Sequence, residues 1–370
     1  MERSEAVVDL DAIRGNVGRL RSGTAAEVMA VVKADGYGHG LVPSARAALA
    51  GGASWLGVAF LEEALALRAA GITAPVLSWL AVPGERLAEG IAADVDLSVS
   101  APWALAEVAA AARGAGRRAR VHLDVDTGLS RAGATPADWP ELVTAAAKAA
   151  AEDVVEVVAV WSHFAYADAP GHPTIARQVA VFTEAVEVAR RLGVDPPLRH
   201  LANSAATLTL PDAHFDLVRP GIAVYGLTPV PPETYGLLPA MTLRTRVALA
   251  KRVPAGSGVS YGHVYTTDRE TLLALVPLGY ADGLPRSATG VGPLLLGGRR
   301  RTLAGRMCMD QFVVDVGDDE VRAGDEVVLF GPGLAGEPTA QEWAEVLGTI
   351  SYEIVSRIGP RVPRTYVGEP

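Results

Sequence analysis

The sequence predicts an α/β fold, an N-terminal (β/α)8 barrel of the TIM type followed by a mostly-β C-terminal domain. Three observations predict it. Short apolar runs alternate with Ala-, Leu- and Glu-rich stretches of helical spacing as far as the proline-rich segment Thr228-Pro-Val-Pro-Pro-Glu. Strands alternating with helices imply a parallel sheet, and eight such units are counted, the number that closes into a barrel. From Met241 onward the long helices largely stop, and short β-like runs separated by glycine turns take over. An open doubly wound sheet is the alternative, but no Gly-x-Gly-x-x-Gly opens a helix after a strand. The predicted domains are 1–235 and 236–370.

Taken in order, the apolar Ala6–Leu10 leads to Asp11, which can cap a helix through about Arg21. Val28-Met-Ala-Val-Val32 then reads as a buried strand. Further strands are predicted at Trp55–Phe60, Val76–Leu80, Val95–Val99, Val121–Val125, Val154–Trp161, Leu198–Ala202 and Phe215–Val218. Helices are predicted at Glu62–Ala70, Pro102–Arg113, Asp138–Ala151 and Thr174–Leu192, with Gly71 and Gly193 placed to end two of them. In the second domain the predicted strands are Leu243–Ala250, Thr271–Pro277, Gly292–Leu296, Gln311–Val316 and Glu326–Phe330, with one helix at Thr339–Leu347.

Composition narrows the function. The net charge of −9 and the lack of a basic run of the kind a polyanion partner would require give no general attraction to nucleic acid or an anionic membrane. No apolar run approaches the roughly 18 residues of a membrane span, and the start of the sequence does not read as a leader. A cytoplasmic protein is expected. Cys308 is the only cysteine, so intrachain disulfides and thiolate zinc sites are excluded. It reads as a buried bystander rather than a nucleophile.

Barrel enzymes build their sites from loops at the C-terminal strand ends, and unusual polar residues gather there. Lys33 follows the first predicted strand, Arg131 the fifth, His163 the sixth, Asn203 and Ser204 the seventh, and Arg219 with Gly221 the eighth. A lysine rooted in an apolar strand end loses hydration, which favours the neutral, nucleophilic amine of a Schiff-base lysine. Such a lysine can equally be a solvated loop residue. Asn203-Ser204 at a helix start and the amides of Gly221-Ile222 suit a phosphate, or an ordinary helix cap. A lone histidine such as His163 is more often structural than catalytic.

Val32-Lys-Ala-Asp-Gly-Tyr-Gly-His-Gly40 resembles the pyridoxal-phosphate lysine motif of the alanine racemases, and further matches run in family order to Tyr352 and Arg364. The resemblance implies pyridoxal 5'-phosphate held on Lys33, with Tyr37, Asn203, Ser204, Gly221, Ile222 and Tyr352 at its phosphate. Arg219 would face the pyridine nitrogen and leave it unprotonated, so the cofactor is a weaker electron sink and less diverted into transamination. His163 would bridge Arg219 to Tyr261, the base implied by Gly258-Val-Ser-Tyr-Gly262. The His163–Arg219 pair would supply the positive charge that tyrosine needs, its free pKa lying near 10. Lys33 and Tyr261 would serve opposite faces of the substrate α-carbon, Tyr261 reaching in from the partner subunit of a homodimer. Met309 would offer its amide to the substrate carboxylate, and Asp168, Tyr280, Arg286, Arg306 and Asp310 would line the access route. The implied function is L-alanine/D-alanine interconversion, supplying D-alanine for peptidoglycan.

One segment departs from the family pattern. In Val121-His-Leu-Asp-Val-Asp-Thr-Gly-Leu-Ser-Arg131, Arg131 matches an arginine that contacts the cofactor's phenolic oxygen and the substrate carboxylate. Where most members carry a carbamylated lysine to steady it, this chain has Asp124, expected to be ionised and to hold Arg131, directly or through water. Strand alternation also puts His122, Asp124 and Asp126 on one face, which admits a divalent metal and a metal-dependent barrel hydrolase. Asp-Thr-Gly resembles aspartic proteases, but only one copy is present. The other rivals are a racemase of another small amino acid such as serine, for which Tyr166 could alter the choice, and a cofactor-binding regulatory protein without turnover.

Overall fold

The computed structural model describes residues 3–369, which form two compact units. One comprises Ile13–Gly36 and Leu41–Leu237; the other comprises residues through Ala12, Tyr37–Gly40 and Leu238–Glu369. The expected division at 235/236 therefore lies close to the last crossing of the chain. The opening residues pack otherwise than expected, because β1 (Ser4–Asp9) pairs with strands of the second unit.

The first unit holds eight parallel strands: β2 (Glu27–Val31), β3 (Trp55–Val58), β4 (Val76–Ser78), β5 (Val95–Val99), β6 (Ala119–Asp124), β7 (Val155–Trp161), β8 (Leu198–His200) and β9 (Leu217–Val218). From β2 to β8 each pairs with its neighbour in sequence, and β9 pairs back onto β2. The Arg219 amide donates to the Ala202 carbonyl at 2.8 Å and the Asp216 amide to the Arg199 carbonyl at 3.1 Å, which joins β8 to β9 and closes the ring. The strands are mostly apolar because both faces are covered, the outer one by helices; β5, β6 and β8 carry polar exceptions in Asp96, His122 and His200. Four of those helices, Leu61–Ala69, Pro102–Ala115, Trp139–Ala151 and Pro173–Arg191, lie where the spacing predicts them. Gly71 and Gly193 take φ of +81° and +88° one residue beyond the caps Ala70 and Leu192. Asp9, not Asp11, caps the helix Leu10–Ser22, its Oδ1 accepting from the Ala12 amide at 3.0 Å. Inside the ring, Met29, Trp55, Leu77, Val158 and Leu217 form an apolar plug with Trp79 and Leu198 packed on it.

The second unit is mostly β, with a six-stranded sheet and a three-stranded one. Its strands are β10 (Met241–Arg246), β11 (Leu249–Val253), β12 (Gly258–Val259), β13 (Tyr265–Thr266), β14 (Thr271–Val276), β15 (Pro293–Leu296), β16 (Arg299–Thr302), β17 (Phe312–Gly317), β18 (Glu326–Phe330) and β19 (Arg364–Val367). The single strand expected over 243–250 is two, β10 and β11, which belong to different sheets. The helix Ala340–Leu347 starts at a capping box: Thr339 Oγ1 accepts from the Glu342 amide at 3.1 Å, and Glu342 Oε2 accepts from the Thr339 amide at 2.7 Å. No helix among the described residues is long and apolar enough to cross a membrane.

Candidate active site

Lys33 stands directly beyond β2, where the backbone turns left-handed. Ala34, Asp35, Gly36 and Tyr37 all have φ between +53° and +61°, a conformation that costs a non-glycine residue on the order of 1 kcal/mol. Side chains hold it. Glu63 Oε1 accepts from the Ala34 amide at 2.6 Å, and Asp35 Oδ1 accepts from the Leu41 amide at 2.8 Å. Gly36 admits no side chain, since a Cβ would lie 2.8 Å from Ser44 Oγ. The turn thus presents Lys33 at the end of a strand whose preceding residues are buried. Its amine has no hydrogen-bonding or ionic partner among the described residues and lies 5.7 Å from the Trp79 ring centroid. Burial, then the positive charge of Arg131, pull its pKa below the ordinary lysine value.

Arg219, after β9, is buried to 5 % exposure. Its Nη1 donates to His200 Nδ1 at 3.0 Å, and its Nη2 donates to the Ser162 carbonyl at 2.7 Å, the Leu201 carbonyl at 3.3 Å and His163 Nδ1 at 3.2 Å. Its guanidinium lies over Trp161 at 4.9 Å. Nε has no partner among the described residues, so one donor remains for a ligand. Burial pulls the arginine down to about 9, which leaves it charged at neutral pH. His163 is the correction here. Burial, then Arg219, Arg131 and Lys33, push it down to about 3, so the imidazole is neutral and Arg219 alone carries the charge. Arginine cannot accept a hydrogen bond, so the His163 proton sits on Nε2, which the described residues leave free to donate.

After β8, Asn203 caps the short helix Ser204–Thr209 through the Ala206 amide at 3.1 Å, and Ser204 Oγ accepts from the Gly221 amide at 2.7 Å. The loop before this helix and the loop carrying Gly221 and Ile222 are therefore tied together. Arg131 is exposed, on a loop shaped by Asp126, whose Oδ1 accepts from the amides of Gly128, Leu129 and Ser130 at 2.9, 3.0 and 3.1 Å. Asp168 is exposed beyond β7, where Tyr166 stacks on His172 with ring centroids 3.9 Å apart.

Asp124 differs from expectation. It is buried at 6 % exposure, lines one small recess with Arg131, Trp161 and His163, and makes no hydrogen bond or ion pair with Arg131. Burial pushes its pKa up to about 8, with Arg219 rather than Arg131 the larger opposing charge. The carboxyl is neutral at pH 7 where an ionised one was expected, because a short arm keeps it inside the wall. The metal reading also falls. Both His122 nitrogens are engaged, with His200 at 2.9 Å and Asp96 at 3.1 Å, and Asp126 is taken by three amides. Among the described residues no group of three or more His, Cys, Asp or Glu is arranged to hold a metal ion.

The remaining predicted residues lie in the second unit. Tyr37 and Tyr352 pack with ring centroids 6.2 Å apart, and burial pushes the Tyr37 hydroxyl well above the ordinary tyrosine value. Tyr261 is 72 % exposed and Met309 52 %. Before Tyr261, Ser260 sits at φ 61°, ψ −170°, a region used essentially by glycine. Its Oγ donates to the Arg306 carbonyl at 2.7 Å and meets Cys308 Sγ at 3.4 Å. The Arg306 guanidinium packs on Gly262, 3.3 Å from where a Cβ would stand. The Tyr280 and Met309 loops are stitched by Tyr280 N to Cys308 O (3.2 Å) and Ala281 N to Met309 O (2.9 Å). Asp310 pairs with Arg361 at 2.8 Å, and Arg361 also reaches buried Asp282 at 3.3 Å. Arg286 lies exposed in a 3-10 turn.

Sequence reasoning passed over three groups. Glu63 anchors the lysine turn. Gln178 bonds the Thr127 hydroxyl at 3.1 Å and the carbonyl and amide of His163 and Ala165 at 3.0 and 2.9 Å, joining two mouth loops. Asp96 and His200 line the barrel interior with His122. For Asp96 and His200 the signal was a polar residue at an otherwise apolar strand position; Glu63 and Gln178, on helices, gave none.

Comparison with known proteins accords with this geometry. Residues 8–229 match the family model for the alanine racemase N-terminal domain and residues 240–366 that for the C-terminal domain. The chain is 68 % identical to an alanine racemase of Frankia casuarinae, over 99 % of this chain and 96 % of that one. It is 65 % identical to one of Salinispora arenicola over the full length of both. A crystal structure of alanine racemase from Streptomyces lavendulae superposes with a TM-score of 0.98 at 58 % identity, covering 100 % of this chain and 98 % of that one. With both domains matched along nearly their whole length, the chain belongs to the alanine racemase family.

Proposed function

We propose that the chain interconverts L-alanine and D-alanine, with pyridoxal 5'-phosphate bound at the barrel mouth and two subunits sharing each site. The observation that carries the reading is the unpaired, depressed amine of Lys33 at the same mouth as Arg219 with its unused Nε. The donors fit the group. Lys33 would hold its carbonyl carbon, Arg219 Nε would donate to its ring nitrogen, and Ser204, Asn203 and the Gly221–Ile222 amides would hold its phosphate at a helix start. The same reading assigns Tyr37 and Tyr352 to the phosphate and Arg131 to the phenolic oxygen and substrate carboxylate. When bound, the cofactor withdraws electrons and makes the α-hydrogen of a joined amino acid acidic.

The protein's residues move the protons. Lys33 Nζ takes or returns one at one face of the α-carbon, and Tyr261 Oη of the partner subunit serves the other. Tyr261 is 72 % exposed in one chain; in the pair it would be covered beside His163 and Arg219. His163 Nε2–H would donate to its oxygen, and Arg219, hydrogen-bonded to His163 Nδ1, would supply the charge. Met309, 52 % exposed, would likewise be covered, its amide meeting the substrate carboxylate. Asp168, Tyr280, Arg286, Arg306 and Asp310 would line the access route. The test is to incubate the purified protein with pyridoxal phosphate and L-alanine and follow D-alanine by chiral chromatography, with L-serine in parallel. D-alanine at catalytic turnover is expected; cofactor binding without it would leave a passive binder.

A further inference from the structure

The buried charge of Arg219 has no carboxylate among its hydrogen-bond partners, which are two imidazoles and two carbonyls. A fixed guanidinium inside a barrel needs compensation. The hydrogen bonds leading away from it show where that lies. Arg219 Nη1 meets His200 Nδ1 at 3.0 Å, His200 Nε2 meets His122 Nδ1 at 2.9 Å, and His122 Nε2 meets Asp96 Oδ2 at 3.1 Å. Asp96 in turn accepts from Arg120 at 2.8 and 3.2 Å. The side chains of His122, His200 and Asp96 are at most 1 % exposed, whereas Arg120 is 36 % exposed. The series runs from beyond the end of β9 to the second residues of β5 and β6, at the opposite end of their strands. Trp161 stacks on His200 at 5.6 Å and Trp55 abuts His122 at 5.6 Å, which shields it from water.

Its direction is forced by chemistry. Arginine only donates, so His200 Nδ1 is bare and the ring carries its proton on Nε2. That proton is donated to His122, so His122 Nδ1 is bare as well and its proton sits on Nε2, donated to Asp96. Both imidazoles are neutral, and every link donates toward the carboxylate. We propose that Asp96, His122 and His200 form a one-way hydrogen-bond relay through the barrel interior that fixes Arg219 in place and compensates its charge at a distance, making Asp96 a positioning residue for the chemistry at the mouth. Burial, then the Arg219 charge, hold His200 well below the ordinary histidine value, as an acceptor from Arg219 requires. Burial alone would raise Asp96, but the hydrogen bonds from His122 and Arg120 and the Arg120 charge outweigh it and keep the carboxylate ionised. Hydrogen bonds in such series polarise one another.

The catalytic consequence rests on the proposed function, but the relay is tested apart from it. On the 15N-histidine-labelled chain without cofactor, long-range 1H–15N spectra at pH 7.5 should show His122 and His200 both neutral with the proton on Nε2. In Asp96→Asn the His122 Nε2 proton should move upfield, and the His200 Nε2 proton should move with it. A proton on Nδ1 of either ring, a doubly protonated ring, or a His200 resonance indifferent to the substitution would overturn the relay. In the holoenzyme, Asp96→Asn should lower kcat roughly tenfold, equivalent to one link of about 1.4 kcal/mol, with KM within about twofold. Arg120→Gln, which leaves the His122 bond to Asp96, should keep kcat within about twofold. Equal losses in the two variants would mean that the lower barrel is merely weakened, and would overturn the positioning role. Spectra as expected in a chain without racemase activity would overturn the proposed function alone.

Discussion

At the scale of single residues, the two bases separate by what each substitution leaves behind. Lys33→Ala removes both the anchor and one base, so cofactor should no longer be trapped by borohydride reduction and racemisation should cease; a trapped adduct would place the attachment on another lysine. Tyr261→Phe should still trap cofactor while kcat falls by about 10²–10⁴-fold, the range of one general acid–base group. Asp124 makes a pH prediction. An ordinary aspartate titrates near 4, whereas burial pushes this one up to about 8. Between those values the folded chain binds more protons than the unfolded chain, so the contribution of Asp124 to stability falls as pH rises. Asp124→Asn, which fixes the neutral form, should therefore gain on the parent protein between pH 5 and pH 8 in urea unfolding of the cofactor-free chain. A variant that loses ground at the higher pH would show that the carboxylate is ionised and needed.

Elements show where sequence pattern carries and where it stops. The barrel strands and long helices are legible because a buried parallel strand must be apolar and a covering helix must repeat every 3.6 residues. The brief strands β12, β13, β16 and β19 carry no such period; Arg299–Thr302 is three arginines and a threonine. Nor does any pattern announce a left-handed turn of Ala, Asp, Gly and Tyr, which exists because Glu63 holds it from outside and its own Asp35 ties it to the Leu41 amide. The strained Ser260 that aims Tyr261 is similar, and it supports a paired test. Ser260→Gly loses the 2.7 Å bond to Arg306 but relaxes the backbone; Ser260→Ala loses the bond and keeps the strain. Strain of this kind is worth about 1–3 kcal/mol, so the alanine variant should be the less stable by that order in chemical denaturation. Equal stability would mean that the backbone abandons the conformation once the hydroxyl is gone.

For the whole molecule, the convergence of Lys33, His163, Asn203, Ser204 and Arg219 is legible because barrel topology sends every strand end to one mouth. The states of those groups are not. His163 is neutral and Asp124 protonated because of burial, which no motif reports. Asp96, His122 and His200 are distant in sequence and become neighbours only when the ring closes. A shared site also predicts complementation: Lys33→Ala alone should be inactive and Tyr261→Phe alone should keep only its residual rate, yet mixed and exchanged subunits should recover activity in the hybrid dimers. No recovery after exchange is demonstrated by mass spectrometry would place both bases within one chain.

The placement of β1 has a consequence in time. This strand lies between β10 and β19, and Thr365 Oγ1 donates to Glu5 Oε2 at 2.7 Å across 360 residues of chain. A ribosome adding about 5–20 residues per second needs roughly 20–70 s to cover that span. Its neighbour β10 is complete only about two thirds of the way along that span and β19 only at its end, while the barrel strands can pair in succession as they appear. The six-stranded sheet of the second unit therefore closes only once β19 is made, so a fusion or trimming at Ser4–Asp9 should disturb a sheet whose other strands are encoded more than 230 residues away.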